Sequence, residues 1–217
     1  SWDTYQSIAD RDDVAWTVPI SLGDSHRGFR VVGTNDSYFE HYRHGDGTKL
    51  RLAEGKLFTD IYEAVLGADV ARELGYEVGS EVVLTHGLGA GGLTDHENRP
   101  FVVSGILAPT GTPVDRSIHV SLEGITAIHV GWESGTRSPF ADTISEEMIR
   151  GFDLTPKSVT AVFVGLERRG TLLRTQRALN TQSGEPLLAI IPGMALGELW
   201  QVTGIVERAL IAVSVFV

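Results

Sequence analysis

Cysteine is absent from this 217-residue chain. Its absence excludes disulfides, thiolate nucleophiles and cysteine-ligated zinc. It assigns no compartment, because cytosolic and extracytoplasmic proteins can both lack cysteine. Basic charge is scarce as well: 18 Lys and Arg against 28 Asp and Glu leave a net charge of −10. A surface that acidic is a poor partner for nucleic-acid phosphates or anionic lipid headgroups. The cluster Arg168, Arg169, Arg174 and Arg177 is too small to reverse this and reads as a solvated helix face. No signal-like segment opens the chain, since "SWDTYQSIADRDD" is polar and acidic. The first residue is Ser1 rather than an initiator Met, as in a processed product or a piece of a longer protein.

What is present is ordinary for a globular protein, with 42% hydrophobic and 21% charged residues. The length suits one large domain or two small ones. "VAWTVPISL" (Val14 to Leu22) alternates and is β-branched, so it predicts a strand. "GFRVVGTN" predicts a second strand after the turn-like "GDSHRG", and "SYFEHY" a short helical turn capped by Ser37. "LAEGKLFTD" reads as a loop, Ala64 to Leu66 as a buried strand, and Ala68 to Leu74 as a helix ended by Gly75. "YEVGSEVVLTHG" and "PFVVSGILAP" predict two strands of a hairpin around the Gly-rich loop "LGAGGLTDHENR". "PVDRSIHVSL" suggests a single helical turn. Residues 131 to 157 are polar, with one helix expected around Ile144 to Arg150, and mark a boundary or a lid-like excursion. The last third reads as strand, helix, strand, helix. These are the central strand "SVTAVFVGL", the amphipathic "RGTLLRTQRALNTQ", the buried strand "PLLAIIP" and a helix from Gly193 onward.

The motifs that could carry chemistry fail on inspection. Gly87, Gly89 and Gly92 satisfy G-x-G-x-x-G after a strand, and Gly87-x4-Gly92 begins a Walker-like loop. A phosphate cradle needs a helix to open directly after the glycines, and a Walker loop needs Lys. Here Leu93 takes the Lys position and "LTDHENRP" runs into Pro100, so a flexible hairpin loop is the reading. His41 and His44 lie three apart, and His86 and His96 flank the Gly-rich loop near Asp95 and Glu97, but no recognised ligand spacing occurs. His119 and His129 sit in mixed apolar segments and read as structural. Ser104 lies in a strand without a nucleophile elbow. Glu146 and Glu147 are adjacent, so on a helix they diverge by about 100°. No catalytic residue, metal ligand or cofactor-binding residue emerges.

The end of the chain is unusual. Glu198, Glu207 and Arg208 dot the last helix, whose Leu196, Leu199, Trp200, Thr203, Val206 and Leu210 recur at helical spacing. Beyond Arg208 charge disappears, and "ALIAVSVFV" contains Ser214 as its single polar residue. A membrane span needs roughly 20 apolar residues, and these nine would be the start of one.

Four stretches occur in one order: "VVGTNDSYFEHY", "LAEGKLFTD", "AVLGADVARELGYEVGSEVVLT" and "FVVSGILAPTGTPVDRSIHVSLEGITAIH". Together they resemble the periplasmic core domain of MacB-like and FtsX-like ABC transporter permeases. The resemblance spans roughly Val31 to His129, and "SVTAVFVGL" and "LLAIIPGMALGELW" fit the family's closing segment. It implies an α+β fold: a mixed α/β porter-like part formed by both ends of the chain, with an inserted β-rich subdomain. The expected segments are residues 1–35 and 152–206 for the porter-like part, 36–151 for the insertion (Sabre-like), and 207–217 for a membrane helix. It implies no enzyme, because ATP hydrolysis would belong to a separate cytoplasmic ABC ATPase. Further implied partners are a second permease protomer and a periplasmic adaptor or outer-membrane channel, with no nucleic acid. The implied place is the bacterial inner membrane, with this domain in the periplasm. The implied function is mechanotransmission, which couples membrane-helix motion to export or efflux of a peptide, lipoprotein or hydrophobic compound. Within it, Met194 to Leu210 would carry the motion. An FtsX-like regulatory ectodomain and a soluble α/β enzyme or ligand-binding protein are the competing readings.

Overall fold

The computed structural model describes residues 1–86, 99–131 and 144–215. The chain divides into two units, Ser1–Gly165 and Leu166–Val217. In the first, α1 (Trp2–Ala9) is capped by Ser1, whose Oγ accepts from the Thr4 amide. β1 (Val14–Ile20), β2 (Asp24–His26) and β3 (Phe29–Thr34) follow, then α2 (Asp36–His41). β4 (Arg43–His44) and β5 (Thr48–Lys49) form a small antiparallel hairpin. Next come β6 (Leu52–Gly55), β7 (Glu63–Leu66), α3 (Ala68–Leu74), β8 (Glu81–Val82) and β9 (Thr85–His86). β10 (Phe101–Leu107), a short 3-10 turn at Pro113–Arg116, β11 (Ser117–Ser121), α4 (Leu122–His129), α5 (Glu146–Arg150) and β12 (Ala161–Leu166) complete the sequence.

One mixed sheet organises this unit, in the order β6-β10-β7-β11-β3-β2-β9, with β8 also on β10. β10 runs parallel to β7 and β11 parallel to β3, whereas β7 and β11 are antiparallel. Both faces of its centre are buried, which explains why β7 reads as a continuous apolar run rather than an alternation. Period-two geometry still sorts the side chains. Ala64, Leu66, Phe101, Val103, Ile118 and Val120 enter one core with Val70 of α3 and Ile128 of α4. Val65, Val32 and Leu107 enter the other with Tyr38 and Phe39 of α2 and Phe58. Helix α3 stops where expected, because Gly75 takes the left-handed conformation (φ 68°) that a side chain with a Cβ disfavours.

Several expectations are corrected. "GDSHRG" contains β2, and its turn lies at Arg27 (φ 48°) and Gly28 (φ 85°), the two positive φ angles of a tight hairpin. α2 starts at Asp36 with Asn35 at the cap position, so Ser37 lies inside the helix. "LAEGKLFTD" is not all loop: Leu52–Gly55 is the edge strand β6, antiparallel to β10. The hairpin around the Gly-rich loop forms through β8 and β10, while β9 pairs with β2 instead. The helical turn in "PVDRSIHVSL" stops at Arg116, and β11 begins at Ser117. The Gly-rich loop and residues 132–143 lie outside the described residues. The described part of the excursion, Ile144 to Leu154, packs against the main core instead of standing free, with Ile149 wholly buried.

β12 is not a central strand. It pairs with β1 in a two-stranded ribbon, and Phe163 is 45% exposed. The Thr160 amide donates to Ile20 O at 2.8 Å, and Thr160 Oγ1 accepts from the Leu22 amide at 3.0 Å. At the other end Gly165 faces Trp16, so the two strands run antiparallel. The Trp2 amide adds a bond to Lys157 O at 3.0 Å.

In the second unit, α6 (Leu172–Asn180) buries Thr175 and Leu179, and α7 (Pro192–Val215) is 24 residues long. "PLLAIIP" between them forms no strand: Leu188 is 79% and Ile190 60% exposed. Side-chain amides of α6 take the place of a sheet partner. Ala189 N donates to Asn180 Oδ1 at 2.6 Å, and Gln176 Nε2 donates to Ala189 O at 3.0 Å. The expected strand–helix–strand–helix unit is therefore a strand, a helix, an extended segment and a long helix.

Candidate functional site

The histidines are spread through the first unit in unlike roles. His41 stacks on Trp16 with ring centroids 4.3 Å apart, and its Nε2 lies 3.8 Å from Glu40. His44 lies on β4, and the backbone of His86 on β9 faces Asp24. His129 Nδ1 meets Ile125 O at 2.6 Å, one turn back in its own helix, with Nε2 4.0 Å from Asp24. His26 on β2, which the sequence did not single out, ties that strand to the segments after α3 and after β8. Its Nδ1 donates to Val83 O at 2.6 Å, and its Nε2 accepts from Tyr76 Oη at 2.8 Å. Burial lowers its pKa. His119 is completely buried between Tyr38 and Phe39, with Nδ1 3.3 Å from Val65 O. Burial pushes its pKa down to about 4.

No group of three or more His, Asp or Glu positioned to hold a metal occurs among the described residues. Ser104 is buried and donates Oγ to Ala64 O at 3.2 Å, which holds β10 to β7. Glu146 and Glu147 lie in the first turn of α5, a placement that suits the positive end of a helix. Gly87, Gly89, Gly92, His96, Asp95 and Glu97 lie outside the described residues.

Two polar arrangements that the sequence does not advertise hold the edges of this unit. Arg99 is buried, and its Nη1 donates to Ala127 O and Val130 O, both at 2.9 Å. It thereby caps the carbonyl end of α4, where a cation is favoured. Arg150 forms a bidentate pair with Asp60, at 2.6 and 2.9 Å, and its guanidinium lies 5.7 Å from the Tyr62 ring centre. The Arg150 hydrogen bond holds the Asp60 carboxyl below the usual carboxylate range. Glu63 accepts from the Thr59 amide and pairs with Lys56 at 2.8 Å, completing a polar rim that clasps α5 to the β6–β7 connection. These groups act on each other and position backbone; none is arranged as a nucleophile with a base.

The surface of α7 is of another kind. Leu196, Leu199, Trp200, Ile205, Val206, Leu210, Ile211 and Val213 are all exposed on it. A shallow groove lined by Thr203, Val206, Glu207, Leu210, Ile211 and Ser214 runs along the helix. Exposed apolar surface on this scale marks an interaction site rather than a solvated face. No helix among the described residues is long and apolar enough to cross a membrane.

The chain belongs to the MacB-like periplasmic core domain family, which it matches over residues 1–173. It is thus an extracytoplasmic domain of the ABC transporter permease type, a family of non-catalytic domains. The extracellular domain of the noncanonic ABC-type transporter YknZ from Gram-positive bacteria is 16% identical, covering 82% of this chain and 81% of that one, with a TM-score of 0.44. The periplasmic region of MacB from Actinobacillus actinomycetemcomitans is 14% identical, covering 83% and 72%, with a TM-score of 0.45. No curated protein matches the chain.

Proposed function

We propose that this domain couples ATP-driven motion of permease membrane helices to export or efflux of a peptide, lipoprotein or hydrophobic compound. The carrying observation is α7, an uninterrupted helix of 24 residues, about 36 Å long at 1.5 Å per residue. A helix of that length transmits displacement along its axis as a rod, because each turn is hydrogen-bonded to the next. The porter-like part comprises residues 1–35 and 152–206, with 36–151 inserted between them. The pairing of β1 with β12 and the bond from Trp2 to Lys157 support joining the two ends. The energy source is a cytoplasmic ABC ATPase bound to a permease dimer in the bacterial inner membrane. A periplasmic adaptor or outer-membrane channel receives the cargo.

The test uses the full-length permease with its ATPase in proteoliposomes. A single cysteine at Ser214 reports maleimide reactivity with and without ATP and vanadate. The expected result is a change of about threefold or more on trapping, abolished by Leu199→Pro, which interrupts the rod. Reactivity that ignores nucleotide, or a Pro variant that responds like the parent, would sink the transmission role.

A further inference from the structure

The end of α4 meets the outer strands of the sheet through two groups of the kind that ligate metals. Asp24 on β2 is 6% exposed, and its Oδ1 lies 4.0 Å from Nε2 of His129, the last residue of α4. The imidazole is oriented by its other nitrogen, because Nδ1 must donate to the Ile125 carbonyl at 2.6 Å. That leaves Nε2 as the nitrogen directed at the carboxylate, and a backbone carbonyl holds metal-ligating histidines in the same way. Arg99 fixes the same turn by donating to Ala127 O and Val130 O. Strand register supplies a further donor position. β2 and β9 are antiparallel, with Ser25 opposite Thr85 and Asp24 opposite His86. Ser25 Oγ and Thr85 Oγ1 are 3.3 Å apart on one face, so positions 24 and 86 share the other. His26 lies on that face too, but both its nitrogens are engaged, by Val83 O and Tyr76 Oη.

We propose that Asp24, His129 and His86 bind one divalent transition-metal ion, zinc above all, where α4 meets β2 and β9. A carboxylate combined with imidazole is a donor set for such ions, whereas magnesium and calcium take oxygen ligands throughout. Two donors on a tetrahedral zinc lie about 3.3 Å apart when each bond is about 2.0 Å, so Oδ1 and Nε2 need to close by roughly 0.7 Å. A small side-chain rotation covers that distance without moving either backbone. The two described side chains are too few for a closed structural zinc centre, which takes four ligands. The residue facing Asp24 brings the count to three, the number of a site that keeps one position for water. Because the ligands come from three elements, the ion ties the margin of the sheet to a helix and stabilises that arrangement by mass action. The inference concerns the Ser1–Gly165 unit alone and does not depend on the transport reading.

The chain contains no cysteine, so no thiolate competes for the metal or contributes to its spectrum. The experiment titrates the 217-residue chain, free of any histidine tag and stripped with EDTA, with cobalt(II) at neutral pH. Visible d–d absorption reports binding, and zinc is then added to displace the cobalt, as the order of affinities requires. One equivalent is expected to bind with a dissociation constant of about 10 µM or lower and to raise the melting temperature. His129→Gln, His86→Gln and Asp24→Asn should each weaken binding at least about tenfold and remove that rise. His41→Gln and His44→Gln, away from the site, should leave both unchanged. Melting in EDTA separates a lost ligand from a lost fold: a variant that melts like the parent without metal but gains nothing from it has lost a ligand. If Asp24→Asn does not fold, His129→Gln, on a partly exposed side chain, decides. No saturable binding, or unchanged affinity in His129→Gln or His86→Gln, overturns the site. Loss of binding in His41→Gln or His44→Gln places the metal elsewhere and overturns it as well.

Discussion

The indole of Trp16 on β1 lies directly against the backbone of Gly165 on β12, so close that a methyl group on Gly165 would overlap the ring. The same indole stacks on His41 at the end of α2, 9° from parallel. Gly165 is therefore a packing position and not a flexible point. Gly165→Ala is expected to lower stability by about 1–3 kcal/mol, the cost of overpacking, with a change in tryptophan emission as Trp16 moves. Ala normally improves on Gly within an ordered element by reducing unfolded-state freedom. Urea titration would therefore expose the error if the variant proved as stable as the parent.

His119 makes the acid response of the fold specific. Its Nε2 has no hydrogen-bond partner among the described residues, and burial holds its pKa near about 4, against about 6.5 in an unfolded chain. The folded pKa is depressed, so the unfolded state binds the extra proton first. Stability is full above about pH 6.5 and falls as pH drops towards about 4, by up to about 1.4 kcal/mol per unit. His119→Leu removes that proton site and is expected to flatten the loss across this window while leaving stability at pH 7 little changed. Urea midpoints at pH 7 and pH 4.5 decide it: equal losses in parent and variant would show that another group governs the acid limb.

How much of this was legible beforehand depends on the range of the interaction. Ala68–Leu74 with Gly75 could be read at once, because a helix stop is written in adjacent residues. The ordered set of stretches from Val31 to His129 carried the family, which the match over residues 1–173 bears out. Strands β2, β8 and β9 span two or three residues, too few to show a period, and their pairing comes from neighbours far along the chain. "PLLAIIP" misled because an apolar run does not say whether a sheet or a partner will cover it. Arg150 and Asp60 lie 90 residues apart, and nothing local marks either as the other's partner. His26 with Tyr76, and Arg99 with α4, were hidden for the same reason.

The Asp60–Arg150 pair and Ile149 together fix α5, a helix of only five residues. An exposed ion pair contributes little, about 1 kcal/mol at most, whereas truncating a wholly buried Ile costs about 2–5 kcal/mol. Arg150→Ala is therefore expected to speed amide exchange at Ile149 and Phe152 with a global loss near about 1 kcal/mol. Raising the salt concentration should shrink the difference from the parent. Ile149→Ala should instead lower the stability of the whole unit. If both substitutions produced the same global loss, the division between a local clasp and a core anchor would be wrong.

Asn180 is expected to control the extended segment that leads into α7. Its Oδ1 accepts the Ala189 amide at 2.6 Å, while Gln176 holds the Ala189 carbonyl from the preceding turn. A neutral hydrogen bond of this kind contributes about 0.5–1.5 kcal/mol, and Leu188 and Ile190 beside it bury too little to compensate for its loss. Asn180→Ala should raise hydrogen exchange at Ala189 several-fold and leave the first unit untouched. Asn180→Asp keeps the acceptor and should retain most of the protection, because a carboxylate still receives the Ala189 amide. Equal exchange in the parent and Asn180→Ala would mean that the prolines at 186 and 192, rather than the α6 amides, keep the segment extended.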